Sequence, residues 1–290
     1  MSGLAVLLAL CAAIGWSVGM VMAKIGLARM DLIAYAFIRW TFALLFIVPY
    51  GLLVAGFRYP GASLIGVAAV ASLLDSFLGG WLYLLAMERS PAHQVTALSS
   101  TAPFWGVMAS VLFLRENPTL IAFLAAFLVV SGAYYLVLRA DGSPERRSIW
   151  GPIAALLTGV LWGIAETVPT KYCLNHGMTP ITLLLVFSVT AVVSWGLLAS
   201  LQSKKRRLRF TVRGVRIAFF AALMGSFLGW MAWLSSLTLA PASLLSPIRG
   251  STTLFAFLFS VLLLRERPGV RAVVGVFLVF SGVLLVSVSS

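Results

Sequence analysis

The chain has 290 residues, 61% of them hydrophobic, with a mean hydropathy of +1.04. About half the residues of a soluble domain are apolar, so this composition excludes an ordinary soluble core and makes lipid the solvent. Lys and Arg number 21 against 8 Asp and Glu, a net charge of +13; because the basic residues flank apolar runs they read as orientation signals, which argues against nucleic acid as a partner.

Apolar runs of roughly twenty residues, the length a helix needs to cross the hydrocarbon, predict an all-α integral membrane protein. Ten transmembrane helices are expected, at 4–23, 32–56, 62–87, 92–114, 119–138, 149–171, 179–201, 214–237, 241–264 and 269–288. The first run, Leu4 to Val21, lacks a basic leader and is long for a signal peptide, so it is read as a span. Asp31, Arg58-Tyr59-Pro60, Ser90-Pro91, Asn117-Pro118, Asp141-Gly142-Ser143-Pro144, Thr179-Pro180, Ala240-Pro241 and Pro268-Gly269 punctuate the spans. Cys11 and Cys173 each sit in or beside a span, and neither a disulfide framework nor a metal site is expected.

The second half repeats the first. Shifted by 150 residues, Ser76-Phe77-Leu78-Gly79 becomes Ser226-Phe227-Leu228-Gly229, Pro91-Ala92 becomes Pro241-Ala242, Leu114-Arg115-Glu116 becomes Leu264-Arg265-Glu266, and Ser131-Gly132 becomes Ser281-Gly282. Trp16 and Trp162 match more weakly at a slightly different offset. The units are therefore 1–138 and 149–290, joined by a linker at 139–148. Five helices per unit is an odd number, so the second unit enters the membrane from the opposite side, and the repeats are expected to be inverted. Inverted halves suit alternating access; the alternative is a duplication that merely enlarged a bundle.

Sixteen of the 21 basic residues fall in odd-numbered connections, seven of them between Lys204 and Arg216. The positive-inside rule then places those connections in the cytoplasm and both termini outside. The 204–216 cluster also reads as a surface segment drawn to anionic lipid, on the same cytoplasmic face.

Ala97-Leu98 through Pro103 to Phe113-Leu114-Arg115-Glu116, followed by a helix ending in Ser131-Gly132, resembles the fourth and fifth helices of an EamA-type unit of the drug/metabolite transporter superfamily. Ser251 through Glu266 to Gly282 resembles the second copy, and Arg39, in Ala36-Phe37-Ile38-Arg39-Trp40, is similar to that family's arginine in the second helix. The resemblance implies an inner-membrane exporter of amino acids or other small metabolites with a central cavity between the halves. It also implies cytoplasmic termini, against the charge count. Thr253 stands where the first copy has Pro103, with Pro247 six residues earlier, so the helix distortion is expected to be displaced in the second copy.

A carboxylate at mid-membrane costs about 3 kcal/mol on insertion scales and usually faces a cavity or a partner. Asp75, midway along the third helix, and Glu166, three residues before Pro169, are such acids. Each reads as a proton- or cation-coupling group, or as half of an ion pair with Arg39, Arg249 or Lys24. Asp75 aligns with Gly225, so it breaks the repeat. Arg249, between Pro247 and Gly250, suits a substrate carboxylate at a broken helix, or an acid partner. His93 and Gln94 are candidates for the same cavity, against an ordinary interfacial role. Trp16, Trp81, Tyr83, Trp162, Trp230 and Trp233 are expected to wall it, against a belt or packing role. Glu116 and Glu266 read as helix-end structure.

The predicted function is a secondary transporter of small amphipathic solutes, protons being the candidate coupling ion, with a proton-coupled drug efflux carrier as the alternative. The predicted partners are lipid and a small molecule, the protein acting as monomer or homodimer. No cofactor is expected, and no phosphate-cradling loop appears. An intramembrane enzyme is the remote alternative: His93 and His176 stand isolated, without a metal-binding motif.

Overall fold

A computed structural model describes residues 3–114, 149–204, 207–239, 249–265 and 269–288, with positions 124, 127–132, 135 and 245. The helices are α1 (Gly3–Leu27), α2 (Leu32–Ala55), α3 (Ala62–Arg89), α4 (Ala92–Ser99), α5 (Ala102–Leu114), α6 (Trp150–Asn175), α7 (Pro180–Ser203), α8 (Val212–Leu239), α9 (Thr252–Leu264) and α10 (Val270–Val288). There is no strand among the described residues. Six helices, α1, α2, α3, α6, α7 and α8, are long and apolar enough to cross a membrane, and their ends lie within a few residues of the expected ones. The protein is a multi-pass membrane protein. The tally of ten depends on shorter stretches and on 119–138, where the described positions are helical. The linker 139–148, Glu116, Glu266 and Pro247 lie outside the described residues.

The expected fourth span is two helices. Pro103 offers no N–H and disfavours helical backbone just before it, and α4 gives way at Ser100 and Thr101 to α5. In the second copy Thr253 replaces Pro103, yet Ser251 forms a turn in the register of Thr101, 150 residues on; the expected distortion at Pro247 lies outside the described residues. Here α1 lies against the break: the Ser17 hydroxyl, which donates to the Ala13 carbonyl of its own helix at 2.6 Å, is also 3.1 Å from the Thr252 carbonyl.

Hydrogen bonds sort the connections into two faces. Lys24, in the last turn of α1, donates to the carbonyls of Met87 and Ser90 at the end of α3. Gly151, opening α6, lies against Arg89 and Ser90. Asp31 accepts from the Arg209 amide at 2.7 Å, and Thr211 donates to the Arg29 carbonyl at 3.2 Å. These ends share one face, which carries Arg29, Arg89, Lys204, Arg207, Arg209 and Arg213. The Arg58 amide donates to Thr182 at 3.2 Å, and Lys171 donates to the Leu237 carbonyl at 3.4 Å, on the other face. α1 therefore ends on the face where α6 begins, and the two run in opposite senses.

Packing is reciprocal between the halves: α1 lies against α8 and α9, α6 against α3, α4 and α5, and α2 against α7. Small residues permit these approaches. A Cβ on Gly163 of α6 would run into the Ala102 carbonyl and the Gly106 amide of α5.

α3 and α8 each carry a π-helical stretch, Leu73–Gly79 and Ala222–Gly229, in nearly the same register of the repeat. Such wide turns gather at functional sites. In α3 other helices supply extra donors: Trp162 Nε1 to the Asp75 carbonyl at 3.0 Å, Trp195 Nε1 to that of Ser76 at 3.2 Å, and the Thr158 hydroxyl to that of Gly79 at 3.3 Å. Within α6, Pro169 cannot bond the Ala165 carbonyl four residues back, and the Thr170 hydroxyl takes it at 2.7 Å.

Overpacking a tight contact costs about 1–3 kcal/mol. Gly163→Ala is therefore expected to lower the thermal midpoint of the detergent-solubilised protein, whereas Ala at Gly66, which has open space around it, leaves the midpoint unchanged. Both are read by the loss of monodisperse protein on heating.

Candidate functional site

The π stretches and the α4–α5 break border a cavity between helices of both halves, with about 790 Å³ of empty space when the open solvent at its mouth is included. α1 contributes Trp16, α2 Arg39 and Trp40, α3 Asp75, Ser76 and Tyr83, α6 Trp162 and Glu166, and α8 Ser226 and Trp230. Arg249 and Thr252 complete the wall opposite Ser99, Ser100 and Pro103 in the repeat register.

The cavity holds four charged side chains in an aromatic frame. Arg249 Nη2 and Glu166 Oε1 form an ion pair of 2.6 Å, with the side chains 11% and 5% exposed. The Arg249 guanidinium also lies 5.4 Å from the ring centre of Trp16 and 5.7 Å from that of Trp233, in cation–π range. Asp75 is buried and accepts from the Ser76 hydroxyl at 3.0 Å. The Arg39 guanidinium lies 5.3 Å from the ring centre of Trp40. Tyr83 and Trp162 sit with ring centres 5.2 Å apart, and Trp16 and Trp230 5.7 Å apart.

Of the residues singled out in the sequence, Trp16, Asp75, Tyr83, Trp162, Glu166, Trp230 and Arg249 come together here. Trp81 does not line the cavity: it is 39% exposed and packs on Phe77, on the outer side of α3. His93 is buried in α4, edge-on to Phe257, and neither it nor Gln94 lines the cavity. Lys24 caps the end of α3 instead of meeting the acids. The wall residues that sequence reasoning missed are Arg39 as a lining residue, Trp40, and the hydroxyls of Ser99, Ser100 and Thr252; the signal for Arg39 was its isolation as a cation within a span. No group of three or more His, Cys, Asp or Glu is placed to hold a metal ion among the described residues.

Removing one member of a buried pair costs more than removing both, because the survivor keeps its desolvation penalty. Glu166→Gln is expected to destabilise the protein by about 3–5 kcal/mol, and adding Arg249→Gln to recover most of the loss, measured as thermal midpoints in detergent.

The same fold and length recur elsewhere. A solved crystal structure superposes with a TM-score of 0.71 over 98% of this chain and 97% of its own, at 14% identity, a likeness of fold. Two proteins of Archaeoglobus fulgidus, both named uncharacterized transporter, are 25% identical over 288 residues (97% of either chain) and 21% identical over 274 residues (93% of this chain, 92% of the relative). The model of the EamA-like transporter family matches twice, at residues 3–138 and 149–288. With two family repeats filling nearly all its length around one charged cavity, the chain belongs to the EamA-like transporter family of the drug/metabolite transporter superfamily.

Proposed function

We propose that the chain is an inner-membrane secondary transporter that exports amino acids or other small amphipathic metabolites by alternating access. Its units are 1–138 and 149–290, joined by the linker 139–148 and inverted across the bilayer. The observation that carries this reading is the cavity, whose wall draws on helices of both units and combines four charges with tryptophan surface. An amphipathic solute matches that lining: its charged ends meet an acid and an arginine, and its apolar body lies on the rings. The opposed senses of α1 and α6, and the reciprocal packing of each on the other unit, support the inverted arrangement. Related halves facing opposite ways give the outward-open and inward-open forms similar energies.

Asp75 and the Glu166–Arg249 pair are the coupling groups in this reading, with protons as the coupled ion. A carboxylate that trades its arginine for a proton links ion movement to rearrangement of the wall. The two carboxylates amid aromatic rings also favour a second reading, proton-coupled efflux of cationic drugs. Neither reading requires a cofactor, and both accommodate a monomer or a homodimer.

The test is uptake of a labelled amino-acid panel into proteoliposomes with and without an imposed pH gradient. Asp75→Asn and Glu166→Gln are each expected to cut gradient-driven flux by about tenfold or more, as loss of a proton-transfer group does. Gradient-driven flux left intact in both variants would defeat the coupling assignment. For orientation, the basic face is assigned to the cytoplasm, so Cys at Ser203 is expected to resist a membrane-impermeant thiol reagent in whole cells. Strong labelling there would reverse it.

A further inference from the structure

The cavity wall supplies partners unevenly. Glu166 and Arg249 meet at 2.6 Å, and Arg249 also lies against two indole rings. Arg39 has no hydrogen bond or ion pair among the described residues and its Nε is buried without a partner; its guanidinium lies against the ring of Trp40 and within electrostatic range of Asp75, Tyr35 and Tyr83. Trp40 is 2% exposed, and its Nε1 is buried and unpartnered too. Trp16, from α1, lines the same cavity with a third unpartnered N–H.

Guanidinium and indole nitrogens only donate. Buried donors are normally matched, and exceptions require an explanation. In a bilayer the penalty is larger, because a cation within a span is retained when it has something to hold. Arg39, Trp40 and Trp16 bring three unmatched donors to the wall of one cavity, beside the unmatched hydroxyls of Tyr83, Ser100 and Thr252, and an acceptor carried in by a solute would match them. A carboxylate meets that demand: a guanidinium presents parallel N–H groups that fit its two oxygens. Arg249 is unsuited to the task, since its charge is already matched by Glu166.

We propose that Arg39, with the indole N–H groups of Trp40 and Trp16, is the anion subsite of the cavity, holding a carboxylate of the transported solute, while Arg249 serves Glu166. This rests on the transport reading above and names its recognition element. Asp75, whose carboxylate accepts from the Ser76 hydroxyl, lies on the same wall and offers a cationic group of that solute an opposite charge.

Proteoliposomes carrying the full chain, assayed with L-phenylalanine, phenethylamine and 3-phenylpropionate, separate the ends of the solute. The wild-type protein is expected to prefer L-phenylalanine to phenethylamine by about tenfold or more, because a site built for a charge-assisted pair rejects the analogue that lacks it. Arg39→Gln is expected to raise the KM for L-phenylalanine by about tenfold and to erase most of the preference. Arg249→Gln lowers flux yet keeps the preference. Two milder variants guard against misfolding of Arg39→Gln: Arg39→Lys, which keeps the charge without the planar fork, and Trp40→Phe, which deletes one N–H, are each expected to raise KM. The inference is overturned if monodisperse Arg39→Gln retains the preference, if Arg249→Gln alone loses it, if both milder variants leave KM unchanged, or if the wild type carries phenethylamine as well as L-phenylalanine. Wild-type flux of none of the three solutes counts against the transport reading itself and takes this subsite with it.

Discussion

Hydrocarbon forms no hydrogen bonds, so each polar group this chain carries into the membrane must be answered by another part of the chain or by what the chain binds. The wide turn of α3 frees carbonyls, and two tryptophans and a threonine from other helices reach them. Pro169 frees the Ala165 carbonyl, and the next hydroxyl along closes on it. Glu166 and Arg249 answer one another. After these local settlements, unmatched groups remain on the cavity wall at Arg39, Trp40, Trp16, Tyr83, Ser100 and Thr252 and at the second oxygen of Glu166.

The exchange of partners between units turns that constraint into a single site. Because α1 packs on α8 and α9 while α6 packs on α3, α4 and α5, neither unit closes its own cavity wall. The repeat is not symmetric where the chemistry lies. Gly225 occupies the position of Asp75, and there the backbones of α1 and α8 meet: a Cβ on Gly19 would sit 3.2 Å from the Gly225 Cα. A Cβ on Gly225 would itself meet the Gly19 Cα at 3.4 Å, an ordinary contact, and the acid is present in one unit only.

Much of the fold is legible in the sequence, because a bilayer demands long apolar runs and marks their ends with charge and proline. The doubled Ser-Phe-Leu-Gly motif signals the repeat, and the family identity is legible in other residues, Ala97 through Glu116, their second copy and Arg39. Local signals do not show which way a side chain turns. Trp81 and Tyr83 are two residues apart on α3, yet the first faces outward and the second lines the cavity. The π stretches were hidden because α-helical and π-helical backbones use the same apolar residues; only cross-helix donors such as Trp162 distinguish them. The turn at Ser251 occurs without a proline at 253 and meets Ser17, distant in sequence, a contact that no pattern within α9 reveals.

The two corresponding tryptophans of α1 and α6 are fastened differently. Trp162 is tied to a backbone carbonyl across its seam at 3.0 Å, whereas Trp16 rests against Gly229 with its N–H unspent. A hydrogen bond of that sort contributes about 0.5–1.5 kcal/mol; Trp16 instead meets Trp230, Trp233 and the Arg249 guanidinium, so two seams alike in sequence are fastened by different kinds of contact.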